Sequence, residues 1–245
     1  MSDMKGSRVV VVGASRGFGR AIAEALVRAG AEVHALSRSD SSELVRATDG
    51  QVHTIAADAT DPEIALQVLR AVKPNVVVLN AGATPKPAPI REHTWESFSV
   101  NWDTDVRMTF HWMKAILNEP LDRGSSVIAL SSGAALRGSP LSGGYAGAKA
   151  TIRFLAEYAA QEAARGKLDI RFAALLPSIT PLTGVGRPFV EAYASRQGRT
   201  AEQFLGGAPL TPADVGAAVL RLLRDHVLDG HVAFRLDGEG LAPLK

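Results

Sequence analysis

The sequence predicts one α/β domain: a doubly wound, mainly parallel sheet of seven strands with helices on both faces. Short β-branched runs alternate with helical patterns from the first residues to about residue 176. The strand runs are nearly all apolar, Val9-Val10-Val11-Val12 foremost, as in strands covered on both faces. A glycine-rich turn joins the first strand to the first helix. No repeat, charge run or linker divides the chain.

Taken in order, residues 9–12 are a buried strand, and the turn Gly13-Ala14-Ser15-Arg16-Gly17-Phe18-Gly19 follows. Ile22, Ala25, Leu26 and Ala29 recur at helical spacing until Gly30 ends the helix. Strands are expected at 32–37 and 51–57, with a short polar helix near 41–48 between them. A helix at 62–72 leads to a fourth strand at 75–79, closed by Asn80-Ala81-Gly82. Three prolines make residues 84–89 a loop. One long helix is expected over 94–117, then strand five at 126–131, a helix at 144–164 and strand six at 169–176. Residues 184–209 break this rhythm. Their aromatic residues, Phe189, Tyr193 and Phe204, and several glycines suit a hinged lid over a substrate. Thr211-Pro212-Ala213-Asp214 starts a helix running to about Asp225, and residues 231–236 read as the last strand, followed by Asp237-Gly238.

Composition narrows the class. The chain has 245 residues, 46% hydrophobic and 21% charged, enough for a substantial core. Its formal charge is +2 with no basic block, so neither a nucleic acid nor a membrane is an expected partner. There is no cysteine, which excludes disulfides and thiolate chemistry and fits a cytoplasmic protein. The polar residues 1–6 and the short run after them do not read as a signal or a span. None of the six histidines shows metal-ligand spacing, so no catalytic metal is expected.

Gly13, Gly17 and Gly19 allow a tight turn and close approach of a pyrophosphate, which the N–H groups and positive end of the next helix would meet. The spacing, G-x-x-x-G-x-G, differs from the usual G-x-G-x-x-G. About 20 residues on, where an acidic residue would bond a ribose 2′-hydroxyl, the chain has Ser37-Arg38-Ser39. Arg38 can clamp a phosphate bidentately, and Arg16 can reach the same group. NADP(H) is therefore favoured over NAD(H).

Tyr145 and Lys149 lie four residues apart on one helix face. A free phenol ionises at about pH 10 and is a poor proton carrier near neutrality. An ammonium beside it favours the phenolate form and suits it to acid–base work. Ser132, at the end of strand five, can hold a carbonyl or alkoxide oxygen.

With the turn, Asn80-Ala81-Gly82, Asn101, Ser132, Tyr145 and Lys149 in this order, the chain resembles the classical short-chain dehydrogenase/reductases over about residues 8–236. The most specific marks are the serine thirteen residues before the tyrosine and the lysine four after it. The resemblance implies a Rossmann-like fold, with dinucleotide binding in about 8–132 and a catalytic helix and lid in about 133–210. It implies that Tyr145 gives the proton in reduction and takes it in oxidation, that Lys149 supports it and holds the nicotinamide ribose, and that Ser132 orients the substrate oxygen. Asn101 would hold a water linking Lys149 to solvent. Ser15, Phe18, Asp58, Ala59, Asn80, Ala81 and Gly82 would line the cofactor, with Asp58 meeting the adenine. The family's Pro-Gly after strand six is here Pro177-Ser178. Pro177 and Thr180 would contact the nicotinamide, with Thr183 an alternative to Thr180. The activity implied is NADP(H)-dependent carbonyl/alcohol interconversion. A dinucleotide-binding sensor or an NAD-linked alcohol dehydrogenase are the competing readings. The broad apolar faces of helices 94–117 and 144–164, together with the resemblance, imply a homodimer or homotetramer.

Overall fold

Alternate residues of the first strand go to opposite sides of the sheet: Val9 and Val11 to one core, Val10 and Val12 to the other, all fully buried. The computed structural model describes residues 4–138, 140–224, 228 and 230–244. Residue 225, the expected end of a helix, lies outside the described residues, as do residues 1–3 and residue 139.

The first half of the chain gives β1 (Arg8–Val12), α1 (Gly17–Arg28), β2 (Glu32–Ser37), α2 (Ser42–Ala47), β3 (Val52–Ala56), α3 (Pro62–Val72) and β4 (Val76–Leu79). After a loop and a short 3₁₀ turn come α4 (Trp95–Asn101), a π-type turn (Trp102–Val106), α5 (Arg107–Asn118) and β5 (Ser126–Leu130). The second half gives α6 (Ala134–Arg137), α7 (Gly144–Arg165), β6 (Arg171–Pro177), α8 (Gly186–Arg196), α9 (Ala201–Leu205), α10 (Pro212–Arg224), β7 (Ala233–Asp237) and β8 (Gly240–Pro243). The strand order is β3-β2-β1-β4-β5-β6-β7-β8, parallel through β7. One core packs α1 and α10 against the sheet, through Ile22, Leu26, Val215, Val219 and Leu222. The other packs α3, α5 and α7, through Val68, Trp112, Ile116, Ile152 and Ala156. Trp112 is fully buried, and its indole N–H donates to the Ala59 carbonyl at 3.2 Å, so the largest core side chain leaves no polar atom unpaired.

The sheet has eight strands, a correction to the expected seven. β8 turns back at Asp237-Gly238 and pairs antiparallel with β7. It is four residues long and ends at a proline, tolerable on an edge strand. The expected helix over 94–117 is interrupted by the π-type turn. The expected lid contains two helices, α8 and α9. A capping box starts α9, with Thr200 Oγ1 accepting from Gln203 N and Gln203 Oε1 from Thr200 N.

The strand order reverses direction of travel between β1 and β4. Crevices at the carboxyl ends of strands beside such a switch point receive ligands in open α/β sheets.

Candidate active site

A cavity of about 680 Å³ opens at that end of the sheet. It takes in the predicted residues Gly13, Ser15, Arg16, Gly17, Phe18, Ser37, Arg38, Asp58, Ala59, Asn80, Ala81 and Gly82, and also Ser132, Tyr145, Lys149, Pro177 and Thr180. Gly19 and Asn101 are not on its wall but touch residues that are: Gly19 packs on Gly13, and Asn101 bonds Ala83 and Asp105.

The turn after β1 is held close. Gly13 has φ +84°, and a Cβ there would sit 2.5 Å from the Ala81 backbone. A Cβ on Gly19 would sit 2.0 Å from the Gly13 carbonyl oxygen. Asn80 Nδ2 donates to that oxygen at 2.9 Å, tying the end of β4 to the turn. Small residues and one amide thus bring backbone against backbone, with Arg16 in an extended conformation just before α1. The free N–H groups of that helix face the cavity's glycine-lined end.

At the end of β2, the Ser37 hydroxyl donates to the Ser39 carbonyl at 2.8 Å and lies 3.0 Å from Ser41 Oγ. Arg38 is exposed, with Nη1 3.7 Å from Asp58 Oδ2. Asp58 accepts from the Thr60 amide and hydroxyl at 3.0 and 2.8 Å. The Thr60 amide first, then its hydroxyl and the nearby Arg38 charge, hold its carboxyl below the ordinary range.

At the opposite end, Ser132 Oγ accepts from the Ala134 amide at 3.2 Å. Lys149 is almost fully buried. Its Nζ donates to the Leu130 carbonyl at 3.1 Å and lies 5.7 Å from the Tyr145 ring centroid. Its backbone carbonyl accepts from the Ser131 hydroxyl at 2.7 Å, fixing α7 to the end of β5. Burial pulls the ammonium downward, but its interactions with Asp105 first and then with Tyr145 outweigh it, and the lysine's pKa stands above its usual value.

Asp105, which sequence reasoning missed, is buried in the π-type turn and pairs with Lys149, Oδ2 to Nζ 3.1 Å. Asn101 lies one helical turn before it. Its Nδ2 donates to the Ala83 carbonyl at 2.9 Å and to Asp105 at 3.2 Å, while its buried Oδ1 has no partner among the described residues. No motif would have marked Asp105. Its four-residue spacing from Asn101 is the only local signal.

Thr180 is buried and its Oγ1 accepts from the Leu182 amide at 3.3 Å, while Thr183 Oγ1 accepts from Gly186 N at 3.0 Å. Both line the cavity. From Tyr145 an aromatic ladder runs through Phe189, Tyr193 and Phe204, with centroids 5.8, 6.0 and 5.7 Å apart. These rings couple the lid helices to the phenol. Away from the cavity, Glu32, His34 and His53 meet on the outer strands β2 and β3, with ligand-type atoms within 4.8 Å of one another. The spacing of histidines in sequence gave no sign of this cross-strand neighbour.

The short chain dehydrogenase family model matches residues 7–194. The chain is 33% identical over 186 residues to a 2,5-dichloro-2,5-cyclohexadiene-1,4-diol dehydrogenase of Sphingobium indicum, covering 72% of this chain and 74% of the relative. It is 31% identical over 185 residues to an L-xylulose reductase of Bos taurus, covering 73% and 75%. A 3-ketoacyl-(acyl-carrier-protein) reductase structure from Brucella melitensis, complexed with NADH, shares the fold: TM-score 0.81 and 21% identity over 96% of this chain and 98% of that one. The family match over most of the chain agrees with a glycine turn and a Ser–Tyr–Lys set at the ends of one crevice, and the chain belongs to the short-chain dehydrogenase family of oxidoreductases.

Proposed function

We propose that the protein interconverts a small carbonyl compound and its alcohol with NADP(H), Tyr145 serving as the general acid and base. The observation that carries this is the placement of Ser132, Tyr145 and Lys149 at one end of a cavity whose other end is the glycine turn and Arg38. The turn fits a dinucleotide, because Gly13, Ser15, Arg16, Gly17 and Phe18 line the cavity at the start of α1, where helix N–H groups can meet phosphate oxygens. Gly13, Ser15, Arg16, Gly17, Phe18 and Gly19 would surround the pyrophosphate. Asp58 and Ala59 would flank the adenine, and Asn80, Ala81 and Gly82 the adenosine side of the crevice. Pro177 and Thr180 would wall the nicotinamide. When bound, the cofactor supplies or accepts the hydride.

The chain's part is position and proton transfer. Ser132 Oγ donates a hydrogen bond to the substrate oxygen. Tyr145 gives its hydroxyl proton to that oxygen in reduction and removes it in oxidation. The Lys149 ammonium stabilises negative charge on the phenol as the proton leaves. Asn101 Oδ1, buried and without a partner among the described residues, is the acceptor that would hold a water on the path to solvent. The aromatic ladder supports an apolar substrate of modest size.

NADP(H) is favoured because β2 ends in Ser37-Arg38 where a ribose-binding carboxylate would stand. Asp58 is 3.7 Å from Arg38 and would have to yield the guanidinium to a 2′-phosphate. Fluorescence titration of wild type and Arg38→Ala tests this. The wild type is expected to bind NADPH at least about tenfold tighter than NADH, and Arg38→Ala to lose most of that preference, about 1.4 kcal/mol or more. Equal affinities in the wild type would refute the clamp.

No helix among the described residues is long and apolar enough to cross a membrane. Phe110, Phe154 and Tyr158 expose 46%, 59% and 51% of their surface on the outer sides of α5 and α7. Such rings support a homodimer or homotetramer built on these helices. Light scattering at micromolar concentration is expected to give at least twice the chain mass, and a monomer would contradict it.

A further inference from the structure

We propose that Asp105 is a positioning residue for Lys149: it holds the ammonium charged and in place, and so sets the pH range in which Tyr145 exchanges its proton. The proposal rests on the functional reading above for the role of Tyr145, and on the geometry of the pair for the rest.

Asp105 is enclosed on every side by donors. Oδ2 lies 3.1 Å from Lys149 Nζ. Oδ1 accepts from the Ala83 amide at 2.9 Å and from Asn101 Nδ2 at 3.2 Å, and lies 2.9 Å from the Thr104 hydroxyl, whose one proton is shared with the Val100 carbonyl at 2.6 Å. The side chains of Asp105 and Lys149 are 2% and 8% exposed. Isolating either charge there would carry a heavy desolvation cost, so each requires the other. The cofactor-side turn is fitted to the carboxylate: a Cβ on Gly82 would lie 2.6 Å from Oδ2. One carboxylate therefore ties together the turn after β4, the amide of Asn101 and the lysine beneath Tyr145.

The π-type turn makes this reach possible. A π-type turn inserts an extra residue into a helix and shifts the phase of the side chains around it. Here it places Asp105 toward the cavity, while Asn101 hydrogen-bonds the same carboxylate from one turn earlier.

The charged and titratable groups facing Lys149 are Asp105, from the π-type turn, and Tyr145, from its own helix. The charge beneath the phenol is therefore kept in place by one carboxylate. Replacing that carboxylate by an amide leaves the buried ammonium without its counter-charge, so the lysine gives up its proton more readily and favours the phenolate less. An amide has one acceptor oxygen and cannot serve both the Ala83 amide and Lys149, so the lysine also loses an anchor.

The test is the pH profile of alcohol oxidation by wild type and Asp105→Asn, with turnover and KM separated. The expected result is a limb displaced to higher pH by about one unit, with reduced turnover and a KM changed less than about threefold. A limb that stays in place, or moves to lower pH, would overturn the proposal, since a structural role alone leaves the limb where it was. Nζ-detected lysine NMR of the wild type, with Lys149→Arg for assignment, does not depend on the folding of Asp105→Asn. Lys149 is expected to keep its proton to higher pH than the exposed lysines, and loss at or below their pH would overturn the pair. If the wild type turns over no alcohol or carbonyl, the functional reading fails and takes the Tyr145 part of the proposal with it. The NMR titration still decides whether Asp105 holds Lys149 charged.

Discussion

Tyr145→Phe is expected to lower turnover about 10²- to 10⁴-fold, the range for loss of a positioned general acid or base. The substitution removes one hydroxyl and keeps the ring, so the tilted contact with Phe189 at 5.8 Å and the lysine 5.7 Å from the ring both survive. NADPH affinity should change less than about threefold, because the cofactor is held mainly at the glycine turn and Arg38. Stopped-flow or steady-state turnover with parallel fluorescence titration separates the two effects. A variant retaining more than about a tenth of wild-type turnover would remove Tyr145 from the proton-transfer role. The same loss with cofactor binding abolished would show that the phenol acts in binding.

Gly13→Ala is expected to damage both stability and cofactor binding. The residue has φ +84°, and its new Cβ would meet the Ala81 backbone at 2.5 Å. Neither the dihedral nor the backbone neighbour can yield cheaply. Strain and overpacking together cost about 3 kcal/mol, which for a chain of this length lowers the melting temperature by roughly 10 °C. Displacing the turn also takes backbone donors away from the pyrophosphate, so NADPH affinity should fall about a hundredfold. Gly17→Ala is the control. Its φ is +58°, but the nearest atom to a new Cβ is Thr183 Cγ2 at 3.9 Å. The cost there should be only about 1 kcal/mol. An equal loss of stability from both substitutions would mean that close approach at Gly13 is not what shapes the turn.

The sheet and the ends of the cavity were legible because they depend on short-range patterns. Val9 to Val12, covered on both faces, read as a buried strand and is one. Asp61 and Pro62 mark the start of α3, where the Asp61 carboxylate accepts from Glu63 N. The seven-strand expectation failed at β8, four residues whose pairing depends on a hairpin turn. Asp237-Gly238 was the available signal for that turn. The lid helices were hidden for a related reason. α9 has only five residues, and its one sequence mark is the Thr200–Gln203 capping box.

Asp105 was illegible for a different reason. Its partner is 44 residues away, on another helix, and the π-type turn between α4 and α5 alters the phase that a regular helix would give. A buried ion pair leaves no period in the sequence. Asn101 shows the same limit: its position was readable, but its bonds to Ala83 and Asp105 were not. The pairing of Arg38 with Asp58 also arises only when the ends of β2 and β3 come together. Residues that touch through the fold, without shared spacing, had to await the structure.

The work proposed for this crevice is hydride transfer between a nicotinamide cofactor and a carbonyl carbon. Wild type incubated with NADPH carrying deuterium at both nicotinamide C4 positions, against a panel of aldehydes and of open-chain and cyclic ketones, is assayed by product mass spectrometry. One deuterium on the carbinol carbon per turnover is expected, with the yield greatly diminished in Tyr145→Phe. Tight NADPH binding with no deuterium transferred to any carbonyl would contradict it and favour a dinucleotide-binding sensor on the same fold.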